Sequence, residues 1–156
     1  MITLYPGSQI RLGDWVILRS TSGGNSIGVN HKVILRTQGE GAIIEIGNRV
    51  GISGGAICAR KRVSIGDDVL IGSNVVIADN DFHPIDCNAR KDMNDNAIEV
   101  KEVIISNGVW VGADVYVCKG VTIGEHSVIG AKSVVTRSIP ANCIAAGIPA
   151  KIVRFL

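Results

Sequence analysis

The sequence predicts an all-β chain wound as a parallel β-helix, from a strict aliphatic period and from the turn-forming residues between the aliphatics. Every sixth residue of one long stretch is isoleucine or valine: Ile105, Val111, Val117, Ile123, Ile129 and Val135. A period of six fits neither an α-helix, with its period of 3.6, nor a simple alternating strand. It fits a coil with three short flat sides, in which one aliphatic side chain per side points to the axis.

The corners of such a coil are predicted three positions after each aliphatic residue. Residues at these positions are mostly types that tolerate or favour positive φ: Asp68, Asn74, Asn80, Gly108, Asp114 and Gly120. His126 occupies the same position, so we expect a structural role for it. Successive coils then stack as parallel strands about 4.7–4.9 Å apart, around a core of isoleucine and valine. We expect about eight coils.

The whole chain, residues 1–156, is predicted to form a single domain. Residues 1–45 repeat less cleanly, which indicates an irregular entry to the coil. The segment from Ile139 onward carries two prolines and is expected to close the stack as a short C-terminal cap.

Composition excludes several classes of function. The net charge of +2 and the aromatic content of 4% are too low for a nucleic-acid surface. No apolar run approaches the ~18 residues of a membrane span, and the N-terminus lacks the pattern of a signal peptide, so we expect a cytoplasmic protein. The four cysteines show no close pairing and are expected to be reduced structural thiols.

The repeat breaks between Ile77 and Ile105, and this break is the strongest functional signal in the chain. The polar, turn-rich segment at about 79–99 has no six-residue period. A long excursion from a strict repeat is more often functional than accidental. It contains His83, one of three histidines, followed by Pro84, which favours an extended backbone at His83. His83 is therefore the candidate catalytic residue.

Four segments carry a family resemblance: Asp79–Pro84, Val109–Ala113, Gly130–Thr136 and Ile139–Lys151. In this order they resemble the hexapeptide-repeat acyltransferases, in particular sugar O-acetyltransferases such as the galactoside, maltose and surface-polysaccharide enzymes. The resemblance covers roughly residues 27–154. It implies a left-handed β-helix, acetyl-CoA as co-substrate without a metal, and a homotrimer in which the coenzyme and His83 meet across subunit faces.

The resemblance also implies roles for individual residues. His83 takes the proton from an acceptor hydroxyl, which attacks the thioester directly, and the backbone N–H of Ala113 faces the thioester carbonyl. Ala131 contacts the pantetheine arm through its backbone. The nucleotide end is held by Thr136, Arg137, Lys151 and Arg154, with Arg137 expected beside the C-terminal segment. Trp110 lines the channel, or alternatively packs at a coil corner.

The acceptor side departs from the galactoside enzymes. Ser53 stands where those enzymes carry an acceptor-binding asparagine, and their acidic acceptor contact is missing near Ala59, so a different acceptor is expected. Asp81 is a further candidate on this side, because it could orient the imidazole.

Other functions remain open at this point. Acetylation of an amino sugar or of a xenobiotic would use the same machinery, and a non-catalytic solenoid is a distant alternative. A γ-type carbonic anhydrase is disfavoured, because two of its zinc histidines lie close together in sequence, whereas the three here are far apart.

Overall fold

A computed structural model describes all 156 residues as a three-sided parallel β-helix of six coils. The strands are β1 (Ile2–Thr3), β2 (Gln9–Leu12), β3 (Ile17–Arg19), β4 (Ile34–Thr37), β5 (Ile43–Ile46), β6 (Gly51–Ser53), β7 (Ala56–Ala59), β8 (Arg62–Ile65), β9 (Leu70–Ile71), β10 (Val76–Ala78), β11 (Val103–Ile105), β12 (Trp110–Val111), β13 (Tyr116–Val117), β14 (Thr122–Ile123), β15 (Val128–Ile129), β16 (Val134–Val135), β17 (Cys143–Gly147) and β18 (Ala150–Phe155). One short α-helix, α1 (Cys87–Lys91), and two 3-10 turns, Ser22–Gly24 and Asp95–Ala97, lie outside the coils.

Three parallel sheets form the sides of the prism. Face A has the strand order β1-β4-β7-β10-β13-β16, face B has β14-β11-β8-β5-β2, and face C has β18-β17-β15-β12-β9-β6-β3. Three edges join them. Corner A/B comprises 4–8, 38–42, 60–61, the excursion 79–102, 118–121 and 136–138. Corner B/C comprises 13–16, 47–50, 66–69, 106–109, 124–127 and 140–142. Corner C/A comprises the loop 20–33 and residues 54–55, 72–75, 112–115 and 130–133.

The expected number of about eight coils is wrong, because much of the chain lies outside the repeat. Residues 20–33 form a loop, the 79–102 excursion interrupts the fourth coil, and β17 and β18 form a terminal antiparallel hairpin. Residues 2–19 already pair in register with the second coil, so the N-terminus is a regular coil and not the irregular entry that its weak repeat indicated.

The period-six aliphatics build the core as predicted. All six members of the long run, Ile105 to Val135, are at most 1% exposed, within a cluster of 27 buried residues. Equivalent residues stack directly on one another: Ile52 pairs with Ile71, which pairs with Val111, which pairs with Ile129. Such ladders of isoleucine and valine therefore fill the axis without large aromatics.

The corners follow the predicted positions with one exception. Asp68, Asn74, Asp114 and His126 all have φ between 57° and 60°, and Gly108 and Gly120 are also left-handed. The expectation is wrong at Asn80. There the chain continues to an antiparallel bridge with Val100, and the left-handed residue is Phe82 (φ 63°), inside the excursion. No helix is long and apolar enough to cross a membrane.

Neighbouring isoleucines on β11 test the core directly. Ile105 is 1% exposed, whereas Ile104 is 40% exposed on the outside of face B. We expect Ile105→Ala to lower the free energy of unfolding by about 2–4 kcal/mol, from lost burial and the residual cavity. Ile104→Ala should cost less than about 1 kcal/mol. Equal losses in urea unfolding would contradict the assigned orientation of the strand.

Candidate functional site

The 79–102 excursion leaves face A through a narrow neck built on a buried carboxylate. Asp79 is fully buried and accepts hydrogen bonds from the backbone N–H groups of Arg60 (2.7 Å), Lys61 (2.6 Å) and Arg62 (2.8 Å). The carbonyl of Asp79 in turn accepts from the N–H of Lys101 at 2.8 Å, where the chain returns. Since charge-assisted bonds are about twice as strong as neutral ones, the two ends of the loop are fixed to corner A/B.

A second clamp lies directly above the neck. Lys119 Nζ, 19% exposed, contacts both carboxylate oxygens of Asp81 (2.8 and 2.7 Å) and lies 3.3 Å from Glu99. The hydrogen bond that Lys119 donates to Asp81, together with the one to Glu99 and the charges of both carboxylates, raises the pKa of Lys119. Asp81 therefore binds a cation, and no hydrogen bond joins its carboxylate to the imidazole of His83. Sequence reasoning missed Lys119, which lies 38 residues from Asp81.

His83 is presented to solvent by this clamped segment. Its backbone N–H donates to the carbonyl of Asp81 at 2.7 Å, Pro84 behind it is buried, and its imidazole is exposed without a hydrogen bond inside the chain. Arg90, on α1, donates to the carbonyls of Pro84 and Ile85 and so holds the outer turn of the loop. The histidine backbone is fixed while its ring nitrogens remain available to a ligand.

Corner C/A contains three backbone N–H groups without partners, one in each of three consecutive coils: those of Ser73, Ala113 and Ala131 make no hydrogen bond within the chain. At corner B/C, capping from the next coil does occur: the N–H of Asn48 donates to Asp67 Oδ1 (2.7 Å), and that of Asp67 donates to Asn107 Oδ1 (2.9 Å). The N–H groups of Asn107 and Glu125, further along the same corner, also make no hydrogen bond within the chain.

The missing caps follow from the sequence. The cap for Ala113 would come from the side chain of Ala131, and the cap for Ala131 would come from Gly147, and neither side chain has an oxygen. With Ser73, whose cap would come from Ala113, three donors on consecutive coils are thus left for an external acceptor, as an oxyanion or a ligand carbonyl requires. The sequence carries a signal of these missing caps, because corner C/A has alanine at positions where corner B/C has asparagine or aspartate.

The remaining predicted residues are distributed over two corners and one face. Ser53, 8% exposed, ends β6 beside corner C/A, and Trp110, 54% exposed, stands on face C. Thr136 and Arg137 lie at corner A/B, on the same edge as Lys119 and His83. Lys151 and Arg154 lie on β18, at the end of face C.

Within a single chain, therefore, Arg137 does not lie beside the C-terminal segment, and that expectation is wrong. After Arg137 the chain crosses face B, where Ile139 bridges Ile123, and passes corner B/C before β17 begins. Arg137 therefore lies at corner A/B, whereas Lys151 and Arg154 lie on face C. The sequence spacing gave no information on this, because one turn of the coil has three sides and segments close in sequence can lie on different ones.

Within one chain, His83 and the uncapped amides lie at different corners. His83 belongs to corner A/B, and Ala113 and Ala131 belong to corner C/A, so the whole width of face A lies between them. No three His, Cys, Asp or Glu side chains are grouped closely enough to hold a metal ion.

The lysine clamp predicts how firmly the loop is held. Because the pKa of Lys119 is raised, its stabilising effect is complete below the ordinary lysine pKa of 10.5 and is lost only as pH rises through the raised value. At neutral pH, Lys119→Met should speed amide hydrogen exchange at Asp81 by about 10- to 100-fold, while Lys32→Met, an exposed unpaired lysine, should not. Unchanged hydrogen-exchange protection of the Asp81 amide in Lys119→Met would show that the lysine does not hold the loop.

Comparison with known proteins agrees with the repeat and the fold. Residues 102–137 match the family described as bacterial transferase hexapeptide (six repeats). The chain is 44% identical over 92 residues to the galactoside O-acetyltransferase of Escherichia coli K12, covering 59% of this chain and 43% of that protein. It is 38% identical over 122 residues to the polysialic acid O-acetyltransferase of Escherichia coli O1:K1, covering 78% and 38%. The chain thus spans less than half the length of these relatives.

Solved structures give the same result. A galactoside acetyltransferase in complex with coenzyme A superposes with a TM-score of 0.65 at 32% identity, covering 93% of this chain and 64% of that one. A hexapeptide-repeat acetyltransferase from Vibrio cholerae complexed with acetyl coenzyme A gives 0.63 at 26% identity, covering 99% and 64%. By its repeat and its coil geometry the chain has the left-handed β-helix fold of these hexapeptide-repeat acetyltransferases, to which it is similar over part of their length.

Proposed function

We propose that this protein is an acetyl-CoA-dependent O-acetyltransferase that acts on a hydroxyl group of a sugar or polysaccharide precursor, with His83 as general base. The observation that carries the proposal is the combination of a free imidazole on a doubly clamped loop with two uncapped main-chain amides. The relatives named above, which include a galactoside and a polysialic acid O-acetyltransferase, support the reaction class. Because the donor is acetyl-CoA, we place the reaction in the cytoplasm.

The residues divide the reaction into three steps. The imidazole of His83 takes the proton from the acceptor hydroxyl, and the oxygen attacks the thioester carbonyl carbon. The resulting oxyanion accepts a hydrogen bond from the N–H of Ala113, while the N–H of Ala131 holds the pantetheine arm. When the carbon–sulfur bond breaks, the imidazolium returns the proton to the departing thiolate, which gives the acetyl ester, free coenzyme and neutral His83.

The active site in this proposal lies between neighbouring chains of a homotrimer. If corner A/B of one copy meets corner C/A of the next, His83 faces the uncapped amides, and face A turns toward the threefold axis. The outward column of face A suits such burial, because it consists of half-buried apolar or aromatic residues: Ile34, Ala56, Val76, Tyr116 and Val134. The corresponding column of face B is mostly polar: Arg11, Glu45, Ser64, Ile104 and Thr122.

The same arrangement reunites the cations expected to bind the coenzyme phosphates. Thr136 and Arg137 lie at corner A/B of the last coil, and Lys151 pairs with Ala146 beside corner C/A. In neighbouring copies these groups approach one another across the cleft. Arg154 extends the positive surface along β18.

Loss of the base should remove turnover and spare coenzyme binding. We expect His83→Ala to reduce kcat by at least ~100-fold, because general base catalysis contributes about 10²–10⁴. The dissociation constant of acetyl-CoA should change less than a few-fold. Thiol release from acetyl-CoA, with a panel of sugars, amino sugars and serine as acceptors, measures kcat. Calorimetry measures the dissociation constant of acetyl-CoA. Full activity in His83→Ala on a true acceptor would refute the mechanism.

Mixing two inactive variants tests whether the site is shared between chains. Ala131→Asp should cap the N–H of Ala113 from within, as Asp67 caps Asn48, and should abolish coenzyme binding. Refolded together with His83→Ala in equal amounts, it should restore about one quarter of the wild-type activity, because each cleft needs one intact corner from each variant. If both corners served one chain, the mixture would stay inactive. A 16.4 kDa monomer in light scattering would contradict the trimer itself.

The phosphate contacts predict an effect on the coenzyme alone. Arg137→Ala or Arg154→Ala should raise the KM for acetyl-CoA about tenfold or more with little change in kcat, because charge-assisted hydrogen bonds are worth about 1.5–3 kcal/mol. Coenzyme without its 3′-phosphate should show the same loss with the wild-type protein and little further loss with the variants. Arg11→Ala on face B is the matched control. A KM for acetyl-CoA that stays at the wild-type value in both variants would show that these arginines are ordinary surface residues that do not bind the coenzyme.

A further inference from the structure

Both tryptophans of the chain line one groove on face C. The groove has a volume of ≈ 690 Å³ and follows the first four coils, and its lining includes Trp15, Leu70 and Trp110. Trp15 is 83% exposed and Trp110 is 54% exposed. This volume is within the range of small-molecule sites, and exposed indole rings are typical of binding surfaces rather than of packing.

The groove is longer than a single sugar ring. Its floor follows one outward column of face C, in which Ile17, Gly51, Leu70 and Trp110 pair in turn. Three coil steps separate the first from the last, which is about 14 Å. Gly51 has no side chain in the middle of this column and keeps the floor open. One wall is the loop after β3, held by a hydrogen bond from Arg19 Nη1 to the carbonyl of Gly24 at 2.5 Å.

The chemistry of the lining matches a carbohydrate chain. Indole faces stack on the C–H faces of pyranose rings, and the side chains of Arg19, Asn25 and Ser26 offer hydrogen-bond donors to hydroxyl groups. No carboxylate lines the groove, so an acidic sugar is also accommodated. At corner C/A the lining includes Ser53 and Gly72, which lies one coil from the uncapped amides.

We propose that this groove binds the oligosaccharide part of the acceptor, so that the substrate is a glycan chain and not a monosaccharide. The inference rests on the proposed function. The ring that is acetylated lies at corner C/A, and the rings that follow it lie along face C toward Trp15.

Fluorescence can report on the groove without any turnover. In Trp110→Phe, Trp15 is the only tryptophan, so its emission reports on the end of the groove far from the coenzyme. We expect maltotetraose or an α2,8-linked tetramer of sialic acid to quench this emission, with at least ~10-fold higher affinity than glucose or monomeric sialic acid. Acetyl-CoA should leave the emission unchanged.

Filling the groove provides the matched variant. A Cβ at Gly51 would lie 3.4 Å from Leu70 Cδ2, an ordinary contact, so we expect Gly51→Val to fold and to bind acetyl-CoA normally. It should weaken tetrasaccharide binding at least ~10-fold, whereas Thr122→Val on face B should not. The proposal would be overturned if neither tetramer quenched Trp15 or if acetyl-CoA quenched it. It would also be overturned if Trp15 were already shielded from acrylamide in the free protein, because another copy would then cover the groove.

Kinetics separate this inference from the proposed function. If no acceptor releases thiol from acetyl-CoA while a tetramer still quenches Trp15, the proposed function fails and the glycan groove stands. If a monosaccharide is acetylated as efficiently as its tetramer, and Gly51→Val alters neither rate, the reaction stands and the glycan groove is overturned.

Discussion

Parallel stacking of the coils places the same demand on every residue: each backbone N–H must find its acceptor in a neighbouring coil. On the flat sides the strands satisfy this demand through the parallel ladders. At the corners the ladders are interrupted, and side-chain oxygens replace them, as Asp67 and Asn107 do at corner B/C and Asp79 does at corner A/B. At corner C/A the N–H groups of Ser73, Ala113 and Ala131 lack such caps in three consecutive coils, because the next coil offers only alanine or glycine there. The candidate site therefore includes donors that the chain itself does not satisfy.

The excursion at residues 79–102 also takes part in capping backbone N–H groups, through the side chain of its first residue, Asp79. A polar segment of this length would be a weak point in a solenoid unless its ends were fixed. Asp79 satisfies three backbone N–H groups of the preceding coil, and the ion pair between Lys119 and Asp81 ties the next coil to the loop. Rigidity is thus concentrated at the neck, and His83 gains a defined position while its ring stays exposed. A positioned base with free ring nitrogens is what proton transfer from a bound hydroxyl requires.

Sequence reasoning succeeded where one residue type meets one local requirement. The inward aliphatics of the Ile105 run and the left-handed corner at His126 are fixed by burial and by φ, and both are readable from spacing alone. It failed where the answer depends on which elements meet in space. Arg137 was expected near Arg154, but a three-sided coil places segments a few residues apart on different faces. Asp81 was expected to serve the imidazole or the acceptor, yet Lys119, distant in sequence, takes its carboxylate. The family resemblance implied roles for Ala113 and Ala131, and in the structure the N–H groups of both residues have no hydrogen-bond partner.

We propose that the free N–H groups of Ala113 and Ala131 bind the coenzyme. Alanine-selective ¹⁵N labelling allows the N–H resonances of Ala113 and Ala131 to be followed during titration with acetyl-CoA, beside the capped amides of Asn48 and Asp67 in uniformly labelled protein. The account predicts large shifts and slowed hydrogen exchange at both alanines, with no change at corner B/C. Resonances of Ala113 and Ala131 that do not respond to saturating acetyl-CoA, or that move no more than those of the capped amides, would contradict it.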